Sequence, residues 1–179
     1  MPINQLHFRA ITENDFHLLF PLWHNRELIQ YTYHPYMGSL EEAQERVQKI
    51  IQRYEDIEAV TLPFLIFKGM HFIGYCGLEC QSSDLAEFEI WYLIAKKEHH
   101  KGYATQAAQY LTNLAFQQLG AKSVTADVVK DNIASIKVLE KIGMIKGECH
   151  IQKFQKGLIK HDLLKYIIHK TDWLAFQKQ

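Results

Sequence analysis

Three consecutive stretches constrain the topology of this chain: a strand-period run from Ala86 to Ala95, a helix-period run from Lys101 to Leu119, and a second strand from Val124 to Val129. A helix lying between two strands of one sheet carries the chain back to its starting end, so the strands must run parallel with the helix as their crossover. Within the crossover, Ala104, Ala107, Ala108, Leu111, Leu114 and Ala115 recur at helical spacing, and Gly120 stands where a helix-ending residue belongs.

The segments on either side add antiparallel strands. Leu6 to Ile11 reads as an opening strand, and Thr12 with Asp15 three residues on marks the start of a helix carrying Phe16, Leu18, Leu19, Phe20, Leu22 and Trp23, with Pro21 as a point for a kink. An aromatic loop, Tyr31 to Gly38, precedes a capping box of Ser39 and Glu42 and a helix to about Tyr54. From Thr61 the period becomes two: Leu62 to Lys68, a turn at Gly69-Met70, His71 to Glu79, a polar turn at 81–84, then Ala86 to Ala95. After Val129 come a helix from about Asp131 to Ile142, ended by Gly143, and two strands, Met144 to Phe154 and Leu158 to His169, joined at Lys156-Gly157. Repeats, low-complexity tracts and linkers are absent from the sequence. The expected class is α/β, a mixed sheet with helices on both faces.

At 179 residues the chain is expected to form one domain, 1–179. Lys plus Arg and Asp plus Glu balance at 20 each, which leaves no general excess of positive charge for nucleic acid. The first residues carry no basic-then-apolar leader, and no run of about 18 apolar residues occurs, so a cytoplasmic protein outside the membrane is expected. Cys76, Cys80 and Cys149 are odd in number and lack paired metal spacing; on a strand, the first two would lie about 13 Å apart, so all three read as reduced core thiols. Ten His invite a metal reading, but neither HExxH nor HxE…CxxC occurs, and no metal is expected.

Chemistry concentrates in His99 to Thr105 (HHKGYAT), where a glycine separates strand from helix. A helix N-terminus behind such a turn offers unpaired N–H groups and about half a positive charge, enough to hold phosphate without basic side chains. Read alone, the segment is equally an ordinary strand-to-helix turn. Neither GxxxxGK[ST] nor a GxGxxG after a first strand is present. A second helix, with Asn132 and Ser135 three apart and expected on one face, opens at the end of the neighbouring parallel strand, where ligands of α/β sheets bind. The plainer alternatives are an N-cap for Asn132 and a surface or packed hydroxyl for Ser135.

Taken together, HHKGYAT, Asn132-Ile133-Ala134-Ser135, and Val138-Leu139-Glu140-Lys141-Ile142-Gly143-Met144 resemble the GNAT N-acetyltransferases, specifically the RimJ/RimL branch of ribosomal-protein acetyltransferases. The resemblance extends to Phe8-Arg9, Ile73 to Leu78, Glu89-Ile90-Trp91-Tyr92 and the tail pattern Asp162…Tyr166…Trp173. It implies a GNAT fold: about seven mostly antiparallel strands, a splayed parallel central pair, and acetyl-CoA as co-substrate. The implied pyrophosphate loop is His99, His100, Lys101, Gly102, Tyr103, Ala104 and Thr105. Asn132 and Ser135 stand beside it, and the backbone at Leu93 and Ile94 pairs with the pantetheine arm. The chain departs from the pattern at His99, where the family prefers Gln or Arg, and at His100, where the branch commonly has Gly; the latter is tolerable if His100 keeps a negative φ. Trp91 replaces a frequent Gly, and Leu139 stands where other branches carry a Tyr acid.

Acetyl transfer needs a neutral amine, a polarised carbonyl and a proton for the departing sulfur. An α-amine of pKa about 7.7–8.0 is roughly one-fifth neutral near pH 7.3, whereas a Lys side chain is neutral only about one time in a thousand. A protein N-terminus is therefore the leading acceptor. Glu89 is the candidate base, through a water; it shares a strand face with Glu87, Trp91 and Leu93, an apolar neighbourhood that would raise its pKa, and the alternative is a solvated carboxylate. Ser135 is the candidate proton donor by resemblance. The aromatic loop either covers the core or lines the acceptor site. Two other readings stay open: a small-amine acetyltransferase acting on a polyamine or aminoglycoside, and a catalytically silent acyl-CoA-binding module. A monomer or homodimer is expected.

Overall fold

The computed structural model describes residues 6–54 and 61–178. Its strands are β1 (Leu6–Ala10), β2 (Thr61–Lys68), β3 (His71–Cys80), β4 (Glu87–Ile94), β5 (Ser123–Val129), β6 (Ile145–Lys156) and β7 (Ile159–His169). Its helices are α1 (Phe16–Trp23), α2 (Arg26–Ile29), α3 (Leu40–Tyr54), α4 (Tyr103–Gln117), α5 (Ile133–Lys141) and α6 (Lys170–Phe176). The strands form one seven-stranded sheet in the order β1-β2-β3-β4-β5-β7-β6. The β4–β5 pair is parallel, as the crossover requires, and its register covers only Glu87↔Ser123, Phe88↔Val124 and Glu89↔Thr125, although β4 continues to Ile94 and β5 to Val129. The described residues fall into two compact units, Met1–Glu79 with Tyr92–Ala107 and Cys80–Trp91 with Ala108–Gln179.

In the first unit, β1 pairs antiparallel with β2 and β2 with β3, the latter register shifting once between Ile66 and Phe67. Buried Leu19, Leu22, Trp23, Ile29, Val47, Leu65, Ile66 and Ile73 form the core. The turn from β1 into α1 is held by Asp15, whose carboxylate takes the Thr12 N–H and hydroxyl and both Arg9 guanidinium nitrogens, each at 2.7 Å. Pro21 lies inside α1 without ending it, since α1 is only eight residues long. The short α2 was not expected; Asn25 caps it by accepting the Leu28 N–H at 3.1 Å. At the start of α3 the Ser39 hydroxyl oxygen accepts the Glu42 N–H as expected, but the Glu42 carboxylate takes the Gly38 N–H, one residue earlier than a capping box requires.

The second unit is organised by β5, buried at every position except Asp127, with β7 antiparallel to it from Ser123↔His169 to Val129↔Leu163. β6 lies at the sheet edge and is mostly exposed. Against this sheet sit Leu111, Phe116, Leu139 and Trp173, the last with its indole N–H donated to Asn113 Oδ1 at 3.2 Å. The cysteine expectation holds only in part. All three thiols are free and Cys76 is buried, but Cys80 is half-buried and Cys149 is exposed on the edge strand, most of whose residues are exposed.

Candidate active site

The residues around HHKGYAT are arranged to leave main-chain nitrogens unused. A 3-10 turn, Lys96–Glu98, follows β4, and α4 begins at Tyr103, two residues later than the sequence suggested. The delay follows from backbone geometry: His100 has φ +62° and Gly102 φ +78°, with Lys101 between them outside the positive region. Such alternation turns successive N–H groups toward one side and forms a concave anion-binding nest. His99 N–H is taken by Lys96 O and Gln106 N–H by Gly102 O, while the N–H groups of residues 100 to 105 make no hydrogen bond to any described residue. The condition of a negative φ at His100 is therefore not met, yet the donors stay free. His100 keeps the left-handed backbone natural to glycine, and its exposed side chain projects away from the packed interior.

Side chains of the loop brace it from behind. His99 Nε2 donates to Ile94 O at 2.9 Å, which ties the loop to the end of β4 and leaves His99 in a structural role. Glu98, its side chain only 6% exposed, accepts from His71 Nε2 at 2.8 Å and from Lys101 Nζ at 3.0 Å. The hydrogen bond from His71, together with Lys101, holds the Glu98 carboxyl below its ordinary range despite burial. Lys101 is thus drawn back onto the protein, and the anion-binding capacity of the loop resides in its backbone. Gly102 has open space where a Cβ would stand, so its requirement is conformational; Tyr103 lies with its ring 5.6 Å from Lys68 Nζ, and Tyr103, Ala104 and Thr105 are half-buried in the first turn of α4.

Leu93 and Ile94 are buried at the end of β4, where Ala95 N–H reaches Ile73 O at 2.9 Å on β3. A Cβ on Gly74 would collide with the Leu93 carbonyl oxygen, so glycine there permits the two strands to approach.

In the second unit, Asn132 and Ser135 do not share a helix face. Asn132 is the N-cap of α5, its Oδ1 accepting the Ser135 N–H at 3.2 Å, which is the plainer of the two readings weighed for it; Ser135 is half-buried in the first turn. Glu89 is half-buried between buried Phe88 and Ile90, on the strand face shared with Glu87 and Trp91. That face is more polar than expected, since Glu87 meets Lys165 Nζ and the Ser123 hydroxyl, both at 3.4 Å. In register with Glu89, the buried Thr125 hydroxyl has no hydrogen-bond partner among the described residues, the kind of exception that a bound molecule or water satisfies.

Sequence reasoning missed the Glu98, His71 and Lys101 cluster and a second one in which Trp23 Nε1 donates to Tyr75 Oη at 2.8 Å and Tyr75 Oη lies 2.8 Å from the His34 ring. Apart from Glu98 and Lys101, three apart on the loop, the bonded partners in these clusters are 27 to 52 residues apart in sequence, so spacing gives no signal. Among the described residues no group of His, Cys, Asp and Glu is arranged to hold a metal ion, and no helix is long and apolar enough to cross a membrane.

Residues 5–145 match the acetyltransferase (GNAT) domain family. The chain is 26% identical over 155 residues to YoaA of Bacillus subtilis, an uncharacterized N-acetyltransferase, covering 86% of this chain and 88% of that protein. Its fold is similar to a spermidine N-acetyltransferase from Vibrio cholerae solved with CoA and spermine (TM-score 0.83, 20% identity, 95% of this chain and 98% of that one). It is also similar to RimL, a ribosomal L7/L12 α-N-protein acetyltransferase solved with coenzyme A (TM-score 0.82, 22% identity, 94% and 96% covered). With the sheet order, the parallel central pair and the family match in agreement, the chain belongs to the GNAT acetyltransferases and is an acetyl-CoA-dependent N-acetyltransferase.

Proposed function

We propose that the chain, as one acetyltransferase domain over 1–179 working in the cytoplasm, transfers acetyl from acetyl-CoA to the α-amine of a protein N-terminus by direct attack. The observation that carries the donor half is the set of free N–H groups from His100 to Thr105, bent into a nest by positive φ at 100 and 102. A diphosphate fits such a cradle because backbone dipoles and the N-terminus of a 15-residue helix supply the field without a side chain having to reach out. When bound, the thioester supplies the acetyl group.

The chain's own residues do the rest. Backbone at Leu93 and Ile94 aligns the acyl arm and polarises its carbonyl. Glu89 takes a proton from the acceptor's ammonium through a water, which frees the neutral amine to attack, a modest task for an α-amine that is partly neutral at physiological pH. Ser135 donates toward sulfur, where the gain is small because thiols have a pKa near 8.5. Asn132 contributes by fixing the first turn of α5 through its cap on the Ser135 N–H.

A small-amine acceptor is the second reading, favoured by the structural likeness to the spermidine enzyme. Release of CoA measured with acetyl-CoA across N-terminal peptides and polyamines separates the two: turnover of peptides supports the proposal, turnover of polyamines alone supports the alternative, and binding without turnover of either leaves an acyl-CoA-binding module. Glu89→Gln is expected to lower kcat by about 10- to 100-fold for peptides and to remove the acidic limb of the rate profile; an unaltered profile removes Glu89 as base.

A further inference from the structure

Between the aromatic loop and α3 lies a groove of about 830 Å³ whose lining includes Tyr36, Met37, Glu42, Arg46, Lys49 and Arg53. Arg46 is its anomaly. The side chain is half-buried, its guanidinium carbon sits 5.2 Å from the centroid of the buried Trp23 ring, and its Nε is buried without a hydrogen-bond partner. Its guanidinium has a hydrogen-bond contact at His34 Nδ1, 3.5 Å from Nη2, and no carboxylate among the described residues pairs with it. Tyr75 beside His34 cannot serve as counter-ion, because burial drives its hydroxyl pKa up and keeps the phenol neutral. Burial above all, with Arg53 adding repulsion, also disfavours the charge on Arg46 itself. A guanidinium does not escape by losing its proton, so a desolvated one calls for an anion.

We propose that Arg46 anchors a carboxylate-binding site in this groove, and that the amine acceptor of this enzyme bears a carboxylate in addition to its reacting amine. A planar carboxylate matches the guanidinium fork, whereas a phosphate dianion would face Glu42 and Glu45 in the same lining. The mixed charges of the groove suit a ligand carrying both an ammonium and a carboxylate, and disfavour a polyamine, which brings only cations to Arg46, Lys49 and Arg53. Identifying the ligand as the acceptor rests on the acyl-transfer reading; the carboxylate site itself does not.

Matched acceptors test this. CoA release is measured for N-terminal peptides with Glu or Gln at the second position, for lysine against cadaverine, and for O-phosphoethanolamine against ethanolamine, with wild type, Arg46→Gln and Arg46→Lys. The wild type is expected to favour the carboxylate-bearing member of the first or second pair by about 10- to 100-fold in kcat/KM, the peptide pair identifying a side-chain carboxylate and the lysine pair a free amino acid. Arg46→Gln should reduce that preference to within about twofold, and Arg46→Lys should retain part of it. Equal rates within both carboxylate pairs for the wild type, a larger gain for the phosphate pair, or a preference that survives in Arg46→Gln overturns the proposal; the wild-type comparison does not depend on any variant folding. If no acceptor is turned over, calorimetry with the Glu peptide decides separately. Binding lost in Arg46→Gln supports the carboxylate site while the acyl-transfer reading fails, and absence of wild-type binding overturns both.

Discussion

At the scale of single residues, backbone conformation carries more of this site than side-chain chemistry does. His100 occupies the left-handed region that costs an L-residue roughly 1–2 kcal/mol, partly offset by the extra unfolded freedom that glycine brings. Replacing His100 by Gly should therefore raise the urea midpoint by an amount worth about 0.5–1 kcal/mol and leave acetyl-CoA affinity at least as tight; a lower midpoint with weaker binding would mean that the imidazole is needed. Asp15 is a residue whose titration bears on stability. Burial pushes its carboxyl up, but the paired hydrogen bonds from Arg9 and those from Thr12 outweigh this and hold it below the ordinary value. Its stabilising contribution is therefore fully present above the unfolded-state pKa of about 3.9 and is lost as pH falls through the lower folded value. Asp15→Asn should cost on the order of 1–3 kcal/mol at pH 7, and less as the pH falls toward 3, read by denaturant unfolding across that range; a constant difference would contradict the assignment.

At the scale of elements, apolar period, length and the turn residues between segments were enough to locate the seven strands and four of the six helices of the described residues, while the seven-residue α6 is too short to display a period. What escaped has physical reasons. The four-residue α2 is too short to display a period and depends on the Asn25 cap, and the N-terminus of α4 was set by a positive φ at Gly102 that composition does not reveal. Asn132 was expected on a helix face, yet a residue with non-helical φ/ψ at an N-cap has left that face, a distinction that spacing of three residues cannot make. The approach of β3 to β4 is likewise encoded by one residue, Gly74. Gly74→Ala would drive a methyl into the Leu93 carbonyl and is expected to lower stability by about 2 kcal/mol or more, with broadened amide signals at Leu93 to Ala95. A variant as stable as wild type would show that these strands can part freely.

For the whole molecule, the family was legible in three short motifs, while the acceptor was not, because the groove proposed for it is recognised by how its side chains are buried and paired, which spacing does not show. Arg46 illustrates this: on α3 it reads as one more charge on a solvated face, and only the fold reveals it beside Trp23 and His34 without an acid partner among the described residues. The donor side is different, since the residues proposed to bind there form one contiguous loop and the sequence can be read directly. The most direct test of the account is therefore calorimetric titration of acetyl-CoA into the wild type and Gly102→Val, with unfolding midpoints measured on both. Valine is strongly disfavoured at φ +78° though nothing blocks its Cβ, so the loop should lose its nest while the fold persists. Binding by the wild type and at least 100-fold weaker binding by a folded Gly102→Val is the predicted result; equal affinity in the two proteins would contradict it.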